Sequence, residues 1–169
     1  MSKATKDRWQ SAQSYERGHW ERQAEAVADD EYHGIDWYDW RAEFLVSCLK
    51  ELGLDHLANG DSNLIEVGSG PVGVVAHIPG QIRVAIDPLG DFYGEHPELT
   101  THRDPGVDYK AGMGEELDAP DDTFDLAIIE NCIDHVRDTD AVMQELQRVL
   151  RPAGTLYLTV NLRTPWGYW

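Results

Sequence analysis

The stretch Leu64-Ile65-Glu66-Val67-Gly68-Ser69-Gly70-Pro71-Val72-Gly73 constrains the fold more than any other part of the chain. An apolar run, Asn63–Val67, ends abruptly in closely spaced glycines, which reads as a buried strand turning into the next element. Gly68 and Gly70 let the backbone turn sharply and approach a ligand with no Cβ in the way. Pro71 suits the start of a helix over 71–78, which Pro79-Gly80 closes. The free N–H groups of such a helix start face the turn. A lone Gly-x-Gly-x-x-Gly also fits a glycine turn that binds nothing, so the motif fixes architecture before it fixes function.

Strands and helices alternate from there on. Ile82–Ile86 reads as a second strand ending at Asp87, and Val107–Lys110 as a weak third. Residues 91–104 read as loop, with Pro88, Pro97 and Pro105 nearby. Phe124–Ile129 is a buried strand. Asp138–Arg151 is the clearest helix: Val142, Met143, Leu146, Val149 and Leu150 share one face, acids stand at its start, and Arg148 and Arg151 in its last turn. Pro152-Ala153-Gly154 stops it, and Thr155–Val160 is a fifth strand. This alternation implies right-handed crossovers and a parallel sheet with helices on both faces. Upstream, Ile35–Leu52 reads as a helix capped by Asp36 and stopped by Gly53, with Trp37, Trp40, Phe44, Cys48 and Leu49 on one face. Residues 1–34 are polar, with Trp9, Tyr15, Trp20 and Tyr32 among them, and suit one or two helices or an arm.

The net charge of −17 over 169 residues disfavours a polyanionic partner, since the 14 Lys and Arg form no basic run. Nucleic acid is therefore not expected. No apolar run approaches the ~20 residues that span a bilayer, so no membrane segment is expected. The start has no apolar stretch behind its basic residues and reads as no signal peptide. The only two cysteines, Cys48 and Cys132, suit a reduced cytoplasmic protein. The acidity fits solubility or a salt-rich cytoplasm. His96 and His102 stand near Glu95, Glu98 and Asp104, but in no standard ligand spacing, so no metal is expected.

Two acids give the glycine turn its chemistry. Asp87, 19 residues after Gly68, can accept both hydroxyls of an adenosine ribose. That serves a nicotinamide dinucleotide and S-adenosylmethionine alike. Glu66 separates them. It stands where a dinucleotide site places an apolar residue, and a buried carboxylate there needs a cation or donors, which the amino group of a methionine moiety provides. At this point the chain resembles the class I S-adenosylmethionine-dependent methyltransferases, and the type 11 methyltransferase group in particular. The resemblance covers roughly residues 60–162. It includes the acid-x-Gly-x-Gly of Glu66–Gly70, Asp87, the stretch 112–117 followed by 120–125, the strand exit 129–136 and the helix-to-strand signature 147–156. Ala153 stands where the family's signature has its first glycine.

The resemblance implies a Rossmann-like parallel sheet in order 3-2-1-4-5 behind an N-terminal helical cap, 1–53. It implies S-adenosylmethionine as cofactor and S-adenosylhomocysteine as product. Cofactor contacts fall on Glu66, Gly68, Ser69, Gly70, Asp87, Pro88, Leu89, Met113, Gly114, Glu115, Asn131 and Cys132. Met113 replaces the acid that meets the adenine amino group in the family, which leaves apolar and backbone contacts for adenine, with Glu115 a substitute. His135 is the candidate general base, with Asp134 weaker in that role. Trp37, Tyr38 and Trp40 suit core packing over an acceptor lid. The implied function is methyl transfer to a small-molecule or glycan-like acceptor. The alternatives are a non-catalytic cofactor-binding fragment and a nicotinamide-dependent oxidoreductase. The family's last two strands have no residues here, because the chain stops eight residues after Asn161 and 163–169 read as the start of a next helix. A fragment is expected, self-associating through the edge strand 155–160 or only marginally stable.

Overall fold

The computed structural model describes residues 6–28 and 37–160. Asp36 and Trp166-Gly167-Tyr168-Trp169, read above as a helix cap and a following helix, lie outside the described residues.

Five strands, β1 (Asn63–Val67), β2 (Ile82–Asp87), β3 (Asp108–Ala111), β4 (Phe124–Glu130) and β5 (Leu150–Thr159), form one sheet in the order β3-β2-β1-β4-β5. Every pairing is parallel, with Val67 opposite Ile86 on one side and Ile129 on the other. This is the expected Rossmann-like sheet. Alternate β1 side chains feed two cores. Leu64 joins Ala85, Leu126 and Ile128 under α1 (Lys6–Ala28), α2 (Trp37–Glu51) and α3 (Gly90–Gly94). Ile65 and Val67 join Ile86, Ala127 and Ile129 under α4 (Thr139–Val149). Helices thus cover both faces, which parallel strands buried on both sides require.

Several boundaries and faces differ from the sequence reading. The helix expected over 71–78 is a turn followed by one 3₁₀ turn, Val74–His77. Gly70 and Gly73 lie at φ 62° and 80°, and a Cβ on Gly73 would sit 2.6 Å from Glu66 Oε2. The backbone wraps around that carboxylate instead of coiling past it. Residues 91–104 are not all loop: α3 and a 3₁₀ turn, Pro97–Leu99, bury Phe92, Tyr93 and Leu99.

In α2 the buried face is Tyr38, Ala42, Leu45 and Leu49, while Trp40 and Phe44 are 61% and 57% exposed. Two apolar stripes exist on this helix, and the sheet takes the one that carries the smaller residues. Tyr38 is the core residue the sequence suggested. α4 begins as expected, with Asp138 accepting from the Ala141 amide at 3.3 Å. It ends at Val149, earlier than expected, and Met143 is exposed. β5 starts at Leu150 and contains the Pro152-Ala153-Gly154 break as a register shift, with Ala153 at φ 67°.

Candidate functional site

In the order 3-2-1-4-5, chain direction across the sheet reverses between β1 and β4, which opens a crevice at the strands' C-terminal ends. A cavity of about 260 Å³ lies there. Glu66, Gly68, Ser69 and Gly70 form its floor, and Asp87, Pro88 and Leu89 follow from β2. Met113, Gly114 and Glu115 come from the loop after β3, and Asn131, Cys132 and His135 from the exit of β4. The cavity therefore brings together the twelve cofactor contacts expected from the sequence and His135, while Asp134, the weaker candidate base, is not on its wall.

Glu66 is buried, and its Oε2 accepts the Val75 amide at 2.8 Å. Burial pushes its pKa up to about 8 against the pull of the Val75 and Val74 amides, and the nearby Glu130 adds to the rise. Asp87 closes β2: Oδ2 accepts from the Gly70 amide and Oδ1 from the Leu89 amide, each at 2.9 Å. Burial raises it to about 6, opposed by those two amides and, more weakly, by a hydrogen bond with the Tyr93 hydroxyl. Asp87 thus pins the glycine turn to the end of β2.

Glu115 Oε1 accepts the amides of Arg137 (2.7 Å) and Asp138 (3.2 Å), so this oxygen holds the loop into α4. Cys132 donates to the Val67 carbonyl at 3.1 Å, and burial pushes its thiol pKa up. His135 is about half exposed, with Nε2 3.6 Å from Asp134 Oδ2. His96 and Asp104 are engaged elsewhere, with the Phe92 carbonyl and Arg83.

The N-terminal helices make the rest of the wall. Trp9, Gln13, Glu16 and Trp20 line the cavity from one face of α1, and Trp37, Tyr38 and Arg41 from α2. Trp20 anchors α1 against Tyr93 and Trp37, with ring centroids at 5.7 and 6.2 Å. Arg41 Nε lies 3.0 Å from Glu130 Oε2, with side chains 19% and 8% exposed. Neither residue of this pair was singled out from the sequence. Two signals were there to read: Glu130, like Asp87, is an acid ending a buried strand, and Arg41 is the only Lys or Arg between Arg22 and Lys50.

Residues 65–158 match the family described as a methyltransferase domain. A 50-residue stretch is 42% identical to a ubiquinone/menaquinone biosynthesis C-methyltransferase of Vibrio vulnificus, covering 30% of this chain and 19% of that protein. Another, of 59 residues, is 34% identical to a ubiquinone biosynthesis O-methyltransferase of Parvibaculum lavamentivorans, covering 35% and 23%. The chain thus spans about a fifth of the length of these curated relatives. Among solved structures, a putative sarcosine dimethylglycine methyltransferase from Galdieria sulphuraria superimposes with a TM-score of 0.55 at 20% identity. That match covers 69% of this chain and 44% of the other, and it is a likeness of fold.

Proposed function

The chain belongs to the methyltransferase-domain family, and from that premise we propose that it binds S-adenosylmethionine in the cavity and serves methyl transfer to a small-molecule or glycan-like acceptor. The observation that carries this is Glu66: a carboxylate held inside the protein at the floor of a crevice of about 260 Å³. Burial of such an acid is costly unless it meets a cation, and the methionine ammonium is one. The cofactor, when bound, supplies an electrophilic methyl on a cationic sulfur.

The residues fit the rest of that ligand. Asp87, at the cavity end of β2, would accept the ribose hydroxyls, and Met113 with the backbone beside Gly114 would support a flat base. Gly68 and Gly70 let the methionine arm pass over bare backbone. The Arg41 terminal nitrogens have no hydrogen-bond partner among the described residues and can donate to the methionine carboxylate. His135, with Asp134 beside it, is the group able to take a proton from the acceptor, and Trp9, Gln13 and Trp37, which line the same cavity, would form the acceptor wall. Alignment of the acceptor with the methyl needs no covalent protein group.

In this reading the described helices over 6–53 are the acceptor-side cap and the residues from 60 onward the cofactor domain. Free Cys48 and Cys132 fit a reducing cytoplasm. The net charge of −17 favours a small acceptor over a nucleic acid. No helix among the described residues is long and apolar enough to cross a membrane. The exposed edge of β5 supports self-association.

The test is a binding comparison with S-adenosylhomocysteine and NAD by thermal shift, followed by transfer of radiolabelled methyl to an acceptor panel. Stabilisation by NAD alone would sink the reading. Binding of S-adenosylhomocysteine without turnover on any acceptor would leave a cofactor-binding fragment.

A further inference from the structure

Arg41 and Glu130 come from different elements, α2 and the end of β4, and meet inside the cavity. Arg41 is the only lysine or arginine among the described residues lining it, against the carboxylates of Glu16, Glu66, Asp87, Glu115 and Glu130. A guanidinium so placed has several anions to choose from, and its charge is felt at Glu66. Its contact with Glu130 is an ion pair at 3.0 Å without the alignment of a good hydrogen bond. Buried pairs need further hydrogen bonds to offset their desolvation, so this one is left short of partners on the cavity side. A guanidinium has two usable edges, and a carboxylate that holds Nε leaves the terminal nitrogens to face elsewhere.

Resting on the cofactor reading above, we propose that Glu130 is a positioning residue for the cofactor. It ties Arg41 by the Nε side, so that the terminal nitrogens face the methionine carboxylate. It also keeps the guanidinium from closing onto Glu66, which is reserved for the ammonium. Glu130 touches no part of the ligand itself and acts through Arg41.

Two probes separate this from simpler effects: S-adenosylhomocysteine, and 5′-methylthioadenosine, which has the same nucleoside and thioether but no amino-acid end. Calorimetric titration compares both on the wild type, Glu130→Gln, Arg41→Ala and the double variant. Charge alone makes Glu130→Gln bind S-adenosylhomocysteine more tightly, because an anion near a carboxylate site is removed. Positioning gives the opposite sign: about tenfold weaker binding, the scale of one lost hydrogen bond to a charged group. Methylthioadenosine should be unaffected, and Glu130→Gln should add nothing on top of Arg41→Ala. The proposal fails if Glu130→Gln binds S-adenosylhomocysteine as tightly as the wild type or tighter. It also fails if both probes weaken together, which marks a structural role. Should Glu130→Gln not fold, Arg41→Lys carries the test: a lysine keeps the charge but has no second edge, so selective loss of S-adenosylhomocysteine supports the idea and unchanged binding overturns it. A wild type that binds neither probe would instead overturn the cofactor reading.

Discussion

Gly68, at the end of β1, and Cys132, just past the end of β4, meet across the floor of the cleft. A Cβ added to Gly68 would lie 2.6 Å from the Cys132 Cβ and closer still to its sulfur, and Gly68 sits at φ 75°. Gly68→Ala therefore carries two costs: roughly 1–2 kcal/mol for a side chain in the left-handed region, and a clash that pushes the β4 exit away from β1. We expect loss of both stability and S-adenosylhomocysteine binding. Adding Cys132→Gly should recover the clash component and not the backbone component. Urea titrations of the single and double variants check this, and full recovery would mean that φ at Gly68 is unimportant.

The two buried acids set the pH behaviour. Glu66 rises from 4.5 to about 8 and Asp87 from 3.8 to about 6. Both are raised on folding, so the native state holds more protons than the unfolded chain between the two sets of values. Their contribution to stability is fully present below the unfolded values and is lost as pH climbs through about 6 and then about 8. The urea midpoint of the free protein should fall over that window. Affinity for S-adenosylhomocysteine should move the other way, because an ammonium needs the Glu66 anion. Binding at neutral pH should then release protons, measurable by calorimetry in buffers of different ionisation heat. Glu66→Gln should flatten the upper half of both profiles. Binding without proton release at neutral pH would remove Glu66 from the ammonium site.

Asp87 does two jobs, and one variant separates them. Its oxygens accept the Gly70 and Leu89 amides, so Asp87→Ala leaves two donors without partners and should lower stability by about 1–3 kcal/mol. It should also weaken S-adenosylhomocysteine by about 1.5–3 kcal/mol. Methylthioadenosine should weaken equally, because the ribose is common to both ligands. Asp87→Asn keeps one acceptor and should restore more stability than affinity. If Asp87→Ala leaves both affinities unchanged while stability falls, Asp87 is a structural anchor and the ribose lies elsewhere.

Much of this was legible because it rests on local chemistry. The five strands, the acid before Gly68 and the acid ending β2 are set by apolar runs and punctuation, which short windows of sequence carry, while the order of the strands came with the family resemblance. What was not legible depends on tertiary competition. α2 has a bulky stripe, Trp40 and Phe44, and a smaller one, Ala42 and Leu45; the pattern favours the first, yet the sheet closes on the second. Pro71 signals a helix, but Glu66 captures the Val75 amide and bends the segment around itself. The Arg41–Glu130 pair joins residues 89 positions apart, and no spacing rule reaches that far.

The outer edge of β5 is the last place where the packing looks incomplete. No strand pairs with it among the described residues. Leu158 and Val160 are exposed, while the Tyr157 hydroxyl and Thr159 Oγ1 are buried without a hydrogen-bond partner. The α2 flank that brings Arg41 and Cys48 close enough to influence Tyr157 continues, one step round the helix, to exposed Trp40 and Phe44. An open strand edge with apolar side chains above and below it, and with no lysine or proline over 155–160 to blunt it, is a template for another strand. We expect the chain to self-associate through this edge, with a mass by light scattering that grows with concentration. Leu158→Lys and Phe44→Lys should each shift it toward monomer without changing methylthioadenosine affinity, because neither residue lines the cofactor cavity. A wild type that stays monomeric at high concentration would show that exposed backbone and these four apolar side chains are too little to hold a partner, and the β5 edge would lose its role as an interface.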